Sequence, residues 1–396
     1  MANVSSSNGL EKRPKLRFPG FDEQYKQCRI GDIYAERSQR GASDMELLSV
    51  TMNDGVKPRS EIESKDNSSE DKSNYKIVRK GDMVYNSMRM WQGANGISPC
   101  DGIVSPAYTV LMPKQEINNG YFAALFKSTN LINEFRKNSQ GMTSDTWNLK
   151  YPQIETIKVQ IPSVSEQDKV SALFSVLDAR IVAQAQLVES LKKYKRGLLS
   201  QLIAQKKAFD TSGEWKTVKL GHIFKERTER AKENETLLAV TISNGVQRRD
   251  EIDLKDNSSD DKSNYKCVYI GDIAYNTMRM WQGASGVSPY NGIVSPAYTI
   301  VTPIRPDLHN MTFWAYYFKY SPLVQTFQKY SQGLTSDTWN LKFPQFSEIA
   351  VTMPPISEQD KIAECLSVFD EHCKCEDEKL QALLQVRTSL LQQLFI

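Results

Sequence analysis

The sequence predicts an α+β fold in which two similar globular domains are separated by two long antiparallel coiled-coil helices, with pseudo-twofold symmetry between the halves. Three observations predict this fold. A unit of about 190 residues occurs twice, each copy begins with short β-prone runs between Gly-Asp turns, and each copy ends in a heptad pattern. Because a solenoid needs at least about three stacked repeats, two copies indicate two separate domains.

The repeat divides the chain into four parts. We place the N-terminal segment and the first domain at residues 1–160, a central spacer helix at 161–205, the second domain at 206–354 and a C-terminal spacer helix at 355–396. The copies match most closely in their domains, where roughly 49 of the 83 positions from 31 to 113 are identical. Residues 102–109 return unchanged at 292–299.

Each copy ends in a long amphipathic helix. Ser165 offers an N-cap followed by acidic residues in the first turn, after Pro162. The apolar residues then follow 3-4 spacing over about 38 residues, or roughly 57 Å: they are Val170, Phe174, Leu177, Ile181, Val188, Leu191, Leu198 and Leu202, and in the second copy Ile362, Leu366, Phe369, Cys373, Leu380, Leu383, Leu390 and Leu394. A lone helix of this kind is unstable, so we expect the two helices to pack together. We also expect residues 16–22 to dock where the second helix ends, because the two junctions between domain and helix occupy equivalent places in the repeat.

Composition limits the classes of function. Lysine and arginine number 50 against 47 acidic residues, a net charge of +3 that lacks the basic excess of a sequence-independent DNA coat. The polar N-terminus does not resemble a signal peptide, and no apolar run approaches the ~18 residues of a membrane span. The six cysteines show no paired framework. We therefore expect a soluble protein of the reducing cytoplasm, with no membrane association.

Motifs for catalysis and metal binding are absent from the sequence. There is no phosphate-binding glycine loop, no zinc-protease motif and no amino-methylation motif, and none of the three histidines has a histidine at the matching position of the other copy. Residues 372–375 (His-Cys-Lys-Cys) are the one metal-like cluster. Their spacing does not fit a four-ligand site, and Cys373 holds the heptad position of Ile181, so packing is the better interpretation. We expect no metal and no cofactor on this chain.

Polar, cationic and aromatic residues in loops recur in both copies. Arginine can pair with guanine, asparagine or glutamine with adenine, and lysine with phosphate. The candidate DNA-binding residues are Lys65, Lys72, Asn74, Asn86, Arg89, Gln92, Thr143 and Ser144, with Lys255, Lys262, Asn264, Asn276, Arg279, Gln282, Thr335 and Ser336 in the second copy. The wider recurring set includes Lys76, Trp91, Trp147 and Asn148. The tryptophans fit core anchors better than base-stacking residues, and the Asn67 turn fits a solvated loop.

Three sequence elements resemble the specificity subunit of type I restriction-modification enzymes. They are Gly-Asp-Met-Val-Tyr-Asn at residues 81–86, Gly-Ile-Val-Ser-Pro-Ala-Tyr at 102–108 and Pro-x-x-x-Glu-Gln-Asp-Lys at 162–169, and the last two recur in the second copy. The resemblance covers nearly the whole chain. It implies that each globular part is a target recognition domain that reads one half of a split double-stranded DNA sequence, while the helices set the gap.

The resemblance also implies partner subunits. Family members bind two modification subunits, which carry S-adenosylmethionine and methylate adenine, and restriction subunits that use ATP and Mg²⁺. This chain would then be non-catalytic. Because the copies are so alike, we expect an inverted-repeat target, although differences such as Lys57 against Gln247 and Asn95 against Ser285 could alter one base pair.

Other interpretations of the sequence stay open. The chain could be a coiled-coil scaffold that binds proteins rather than specific DNA, or an exchangeable specificity chain that competes for shared modification subunits. An enzyme in its own right is disfavoured by the absence of motifs. Sequence preference in DNA binding separates a DNA-recognition subunit from a scaffold, since a scaffold would show no preference.

Overall fold

The computed structural model describes residues 13–41, 44–52, 54–63, 65–209, 213–231, 235–252 and 261–396. The chain forms two compact units. Unit 1 comprises Met1–Ala185 with Glu378–Ile396, and unit 2 comprises Gln186–Asp377. Each unit therefore contains one globular domain together with segments of both long helices.

The first copy contains ten strands, five α-helices and two short 3-10 helices, Arg59–Glu61 and Met90–Gln92, among its described residues. The strands are β1 (Lys26–Arg29), β2 (Tyr34–Glu36), β3 (Leu47–Thr51), β4 (Gly55–Pro58), β5 (Lys76–Val78), β6 (Met83–Asn86), β7 (Asn95–Ile97), β8 (Gly102–Val104), β9 (Tyr108–Pro113) and β10 (Lys158–Ile161). The helices are α1 (Ile30–Ile33), α2 (Asn119–Leu125), α3 (Thr129–Asn138), α4 (Tyr151–Ile154) and α5 (Val164–Ile203).

The second copy repeats this order in the part of it that the structure describes. Its strands are β11 (Lys216–Lys219), β12 (Phe224–Glu226), β13 (Leu238–Thr241), β14 (Gly245–Arg248), β15 (Lys266–Val268), β16 (Ile273–Asn276), β17 (Ser285–Val287), β18 (Gly292–Val294), β19 (Tyr298–Pro303) and β20 (Ala350–Met353). Its helices are α6 (Leu220–Ile223), α7 (Met311–Tyr317), α8 (Ser321–Tyr330), α9 (Phe343–Ser347) and α10 (Ile356–Gln393). The mixed α+β class is confirmed.

Short sheets form each domain. In the first, strands run in the order β2-β9-β6-β7 in one sheet and β4-β3-β8-β5 in another, while β1 pairs with β10. The second domain repeats the first sheet as β12-β19-β16-β17. The sheets meet at Gly55 and Gly96, where a Cβ on Gly96 would lie 2.7 Å from the Gly55 Cα atom. Glycine is required there because the two backbones are in contact.

Aromatic residues dominate the core of each unit. In unit 1, Tyr34, Phe122 and Phe126 pack with the helix residue Phe174 and with Phe395 near the C-terminus. In unit 2, the matching core gathers around Phe224, Trp314 and Phe346 and takes in Leu202 and Leu366 from the long helices. The helices are thus part of both hydrophobic cores, and burial of their apolar faces stabilises them.

The heptad seams of the two long helices are confirmed. All the predicted seam positions are buried or half-buried, including Cys373, which is 7% exposed. Inside each unit the two helix segments run antiparallel and fit a coiled coil. In unit 1, Phe174 stacks on Phe395 at 5.9 Å between ring centroids, and the Arg387 Nε atom donates to Asp178 at 2.5 Å.

In unit 2, the Tyr194 and Phe369 rings lie 5.4 Å apart, and Lys195 pairs with Asp370. Helix α5 is the one described helix with the length and mean hydropathy of a membrane span. Its apolar residues Val170, Phe174, Leu199 and Leu202 are buried in the two cores, and Asp178 lies near its middle, so α5 is not a clear membrane span.

The start of helix α5 differs from the prediction, whereas the position of the N-terminal segment agrees with it. Helix α5 begins at Val164, so Ser165 lies in its first turn and the predicted N-cap is wrong. The Ser163 carbonyl instead accepts hydrogen bonds from the Glu166 and Gln167 amides. At the other end of the chain, the Leu16 amide donates to the Gln393 carbonyl at 2.9 Å, which confirms docking of the N-terminal segment.

The Glu-Gln pair at each helix start holds the helix to its domain. Gln167 accepts a hydrogen bond from the Asn118 amide and donates one to the Pro162 carbonyl, each at 3.0 Å. In the second copy Gln359 makes the same bonds with the Asn310 amide at 3.0 Å and the Pro354 carbonyl at 2.9 Å. These side chains are 1% and 0% exposed, respectively, so this motif serves the fold.

Candidate nucleic-acid interface

Two loops of the first domain lie side by side and carry five of the predicted DNA-binding residues. Residues 86–92 follow strand β6, and residues 140–148 follow helix α3. The Leu149 amide donates to the Ser87 carbonyl at 2.8 Å, and the Trp91 and Trp147 rings meet edge to face at 5.2 Å. We call these two segments, with residues 276–282 and 332–340 of the second domain, the paired-loop surface.

The second domain reproduces this geometry. The Leu341 amide donates to the Thr277 carbonyl at 2.9 Å, and the Trp281 and Trp339 rings meet at 5.2 Å. Arg89 has φ −126° and ψ 9°, and Arg279 has φ −127° and ψ 9°. The duplication therefore extends from the sequence to the backbone that presents these side chains.

The arginine and hydroxyl side chains of the paired-loop surface are exposed. These exposed residues are Arg89, Thr143, Ser144, Arg279, Thr335 and Ser336. Asn86 is half-buried, and its side-chain oxygen accepts from the Met88 amide at 3.0 Å, as Asn276 does from Met278. The Asn86 amide nitrogen is the atom left to meet a ligand. Gln92 is half-buried, whereas Gln282 is exposed.

A polar cleft of about 380 Å³ lies beside the paired-loop surface in the first domain. The predicted residue Lys65 lines it, together with Arg59, Tyr75, Ser105 and Tyr108. Tyr108 is the strand partner of Asn86, which connects the cleft to the paired loops. Sequence reasoning did not include these four neighbours, although the identity of residues 102–109 with 292–299 was a signal for two of them.

The remaining predicted residues lie on the turn before strand β5. The Lys72 Nζ atom donates to the Ser69 carbonyl at 3.0 Å, and Asn74 is exposed. In the second copy Lys262 lies over the Tyr265 ring at 5.5 Å, and Asn264 is exposed. Lys255 lies outside the described residues.

Two members of the wider recurring set have structural roles. Lys76 is 7% exposed, and its Nζ atom donates to the Tyr108 carbonyl at 2.8 Å and to Glu36 at 3.1 Å. Lys266 repeats these contacts. Both lysines therefore bind the protein's own strands, and their recurrence reflects packing. Trp91 and Trp147 are only half-buried and lie outside the buried core clusters, so the interpretation as core anchors was wrong.

A half-buried lysine supports the paired-loop surface from below. In the second domain the Lys319 Nζ atom donates to the Gly283 carbonyl at 2.7 Å and to the Ile242 carbonyl at 2.8 Å. Burial lowers the pKa of Lys319 from its ordinary 10.5 to about 8. In the first domain burial likewise lowers the pKa of Lys127, whose Cγ atom would lie 3.4 Å from a Cβ added to Gly93. Lys319 therefore positions the end of the arginine loop in the second domain.

Replacing Lys319 with methionine is expected to change how stability depends on pH. Folded Lys319 loses its proton near pH 8, while the unfolded chain keeps it to about pH 10.5. The unfolded state thus binds more protons in this interval, so the wild-type free energy of unfolding rises relative to K319M between about pH 8 and 10. Urea denaturation across this range measures the difference. The exposed control K225M should track the wild type, and parallel K319M and wild-type curves would contradict the assignment.

The described residues hold no group of three or more His, Cys, Asp or Glu side chains suited to a metal ion. His372 is exposed and lies 3.6 Å from Glu376 on the same helix. Cys373 occupies the seam, as its heptad position predicted. The predicted packing role of Cys373 in the seam is therefore confirmed.

Comparison with known proteins identifies the family. The model of the type I restriction modification DNA specificity domain matches residues 23–193 and again residues 212–385. The S subunit of a type I restriction-modification system from M. genitalium is similar in fold, with 15% identity, a TM-score of 0.58, and 97% of this chain and 99% of that chain covered.

A second solved structure is described as showing complex assembly and conformational transition of the type I R-M system. It has 14% identity and a TM-score of 0.57, and the match covers 95% of this chain and 98% of that one. At such identities these structures support the fold, while the family model covers both copies of the repeat. The chain belongs to the family of type I restriction-modification specificity subunits and carries two DNA specificity domains.

Proposed function

We propose that this chain is the non-catalytic DNA-sequence-recognition subunit of a type I restriction-modification complex. Each domain reads one half of a bipartite DNA target and directs adenine methylation or restriction by partner subunits. One observation carries the proposal: the paired-loop surface occurs twice, with the same exposed arginine and hydroxyl side chains on the same backbone.

The chemistry of this surface fits base recognition. An exposed arginine on a fixed backbone can pair with both acceptors of guanine, and an amide such as that of Asn86 can donate to an acceptor on a base edge. The hydroxyls of Thr143 and Ser144 can bind phosphate oxygens, which sets register without reading sequence. Lys65, which lines the neighbouring cleft, adds a cation for the DNA backbone.

Partner subunits would supply the chemistry of the complex. We expect two modification subunits that bring S-adenosylmethionine, and restriction subunits that bring ATP and Mg²⁺. The similarity in fold to a solved structure that concerns complex assembly of the type I R-M system supports this expectation. Exposed apolar residues on the long helices, such as Val176 and Val368, offer surface for such partners.

The methylated target is expected to be an inverted repeat with a nonspecific spacer. The predicted reading residues of the two domains are the same, so each half-site should carry the same bases. The sequence predicts that the two long helices are antiparallel, and this arrangement would invert one half-site relative to the other. Asn95 and Ser285, which differ between copies, are each 0% exposed and so do not touch a base directly. Genome-wide mapping of methylated adenines measures the motif, and an asymmetric bipartite motif would rule out this symmetry.

Binding measurements separate DNA recognition from a scaffold role. The chain purified with its modification subunits should retain a duplex carrying the mapped motif on a filter more strongly than a duplex with scrambled half-sites. The ratio is expected to reach at least roughly 10³ at physiological salt. Equal retention of both duplexes would support the scaffold interpretation instead.

A further inference from the structure

One apolar side chain at the tip of each paired-loop surface is completely exposed. Met142 in the first domain and Leu334 in the second are both 100% exposed. Full burial of a side chain of this size contributes about 1.5–3 kcal/mol. Both domains forgo that contribution at the same position, which points to a ligand that covers the tip.

The loop that carries each tip is closed by its own hydrogen bonds. In the first domain, the Gln140 and Asn148 amides donate to each other's carbonyls at 3.0 and 2.8 Å, and the Thr146 amide donates to the Thr143 carbonyl at 2.9 Å. A Cβ on Gly141 would lie 2.6 Å from the Thr146 carbonyl oxygen, so the loop has no room to tighten further.

The second domain repeats the same closure. The Gln332 and Asn340 amides exchange bonds at the same two distances. Gly333 has φ +142°, and its added Cβ would lie 2.5 Å from the Thr338 carbonyl oxygen. Both tips are therefore presented on a defined backbone and are not folded back onto the domain.

The surroundings of the tip fit nucleic acid better than a protein partner. Next to each tip residue the loop carries Thr, Ser, Asp and Thr, all exposed, so the neighbours of the tip along its own loop are polar. The Arg136 guanidinium lies 5.7 Å from the Trp91 ring centre, which brings positive charge to the same surface.

The substitution between the copies points the same way. Residues 143–150 are identical to 335–342, and the tip is the position in these loops that changes, from Met142 to Leu334. The change keeps an apolar side chain of similar length. A role that depends on volume and apolarity tolerates it, whereas a directional hydrogen bond to a base would not.

We propose that Met142 and Leu334 are wedge residues that insert between stacked base pairs of the DNA half-sites. Apolar side chains of this type unstack a base step and kink the duplex when inserted. Each domain would thereby read the deformability of one step in addition to the base edges faced by Arg89 or Arg279. This inference rests on the proposed DNA-recognition function.

The wedge is tested with the chain in complex with its modification subunits. Duplexes carry 2-aminopurine at successive positions of each half-site, outside the methylated adenine, so that unstacking raises the fluorescence. Wild type should raise it at one step in each half-site. M142A and L334A should each abolish the rise in one half-site, and the double variant should bind target DNA roughly tenfold more weakly or worse.

Two matched variants separate the wedge from general effects. The exchange M142L with L334M keeps apolar volume and should retain the fluorescence rise, while I304A removes a half-exposed apolar side chain elsewhere on the second domain and should change nothing.

Wild type that prefers the target without unstacking it would overturn the wedge and leave the proposed function intact. Loss of modification subunits from M142A or L334A would also overturn it, because the tip would then be a protein anchor. Wild type without target preference would remove the proposed function itself.

Discussion

Replacing Arg89 with alanine is expected to relax base recognition in one half-site, and replacing Arg279 should do the same in the other. Each loss should cost about 1–3 kcal/mol, or roughly 5- to 150-fold in affinity for the wild-type target. The reason is that the backbone of Arg89 is held by hydrogen bonds while its guanidinium remains free to bind a base. The Arg89 amide donates to the Asn86 carbonyl at 2.9 Å and its carbonyl accepts from Gln92 at 2.9 Å, while its exposed guanidinium has no salt bridge among the described residues.

The measurement is the methylated motif of each variant together with competition binding to duplexes mutated in one half-site. Because the two arginines belong to separate domains, the losses in R89A and R279A should add in the double variant. R305A is the matched control, since Arg305 is an exposed arginine of the second domain outside the paired-loop surface. An unchanged motif and affinity in R89A and R279A would remove both residues from the readers.

Replacing Gln359 with leucine is expected to destabilise unit 2 by about 2–6 kcal/mol. The leucine keeps the volume but leaves the Asn310 amide and the Pro354 carbonyl without their partner, and each orphaned group costs about 1–3 kcal/mol. The Asn310 bond joins the start of helix α10 to the N-cap of helix α7, and the Pro354 bond joins it to the residue after strand β20, so their loss loosens the domain from the helix.

Urea denaturation and limited proteolysis measure this loss. Q167L should destabilise unit 1 by a similar amount, because Gln167 makes the same two bonds there. Q186L changes an exposed glutamine on helix α5 and should stay within about 0.5 kcal/mol of wild type. A loss in Q359L no larger than in Q186L would show that the Glu-Gln motif does not hold the helix in place.

The candidate site was only partly accessible to sequence reasoning. The repeat identified Arg89, Thr143 and Ser144, which the structure brings onto one surface although their loops are about 55 residues apart in the chain. Lys76 belonged to the same recurring pattern but is buried against Glu36. Recurrence cannot distinguish a residue kept for binding from one kept for packing, because both duplicate together with the fold.

Hydrogen-bond partners were also beyond the pattern. Ser165 has the residue type and position of an N-cap, yet the helix begins at Val164 because the Ser163 carbonyl already accepts the amides of the first turn. The Tyr108 ring lines a cleft with Lys65 and Tyr75, although Tyr108 lies on a strand far from these two residues in the sequence. Their proximity depends on strand pairing, which local sequence does not specify.

The sequence by itself determined that the molecule is built twice, that each copy ends in a long helix with an apolar seam, and that the same polar loops recur. Periodicity and identity carry that information because heptad spacing and duplicated residues act locally along the chain. Only the tertiary structure decided which recurring side chains are exposed: it turns Arg89 and Met142 outward, buries Lys76 and Gln167, and joins two distant loops through Trp91 and Trp147. The physical reason is that exposure depends on long-range packing, since burial and hydrogen bonding are settled between segments far apart in the chain.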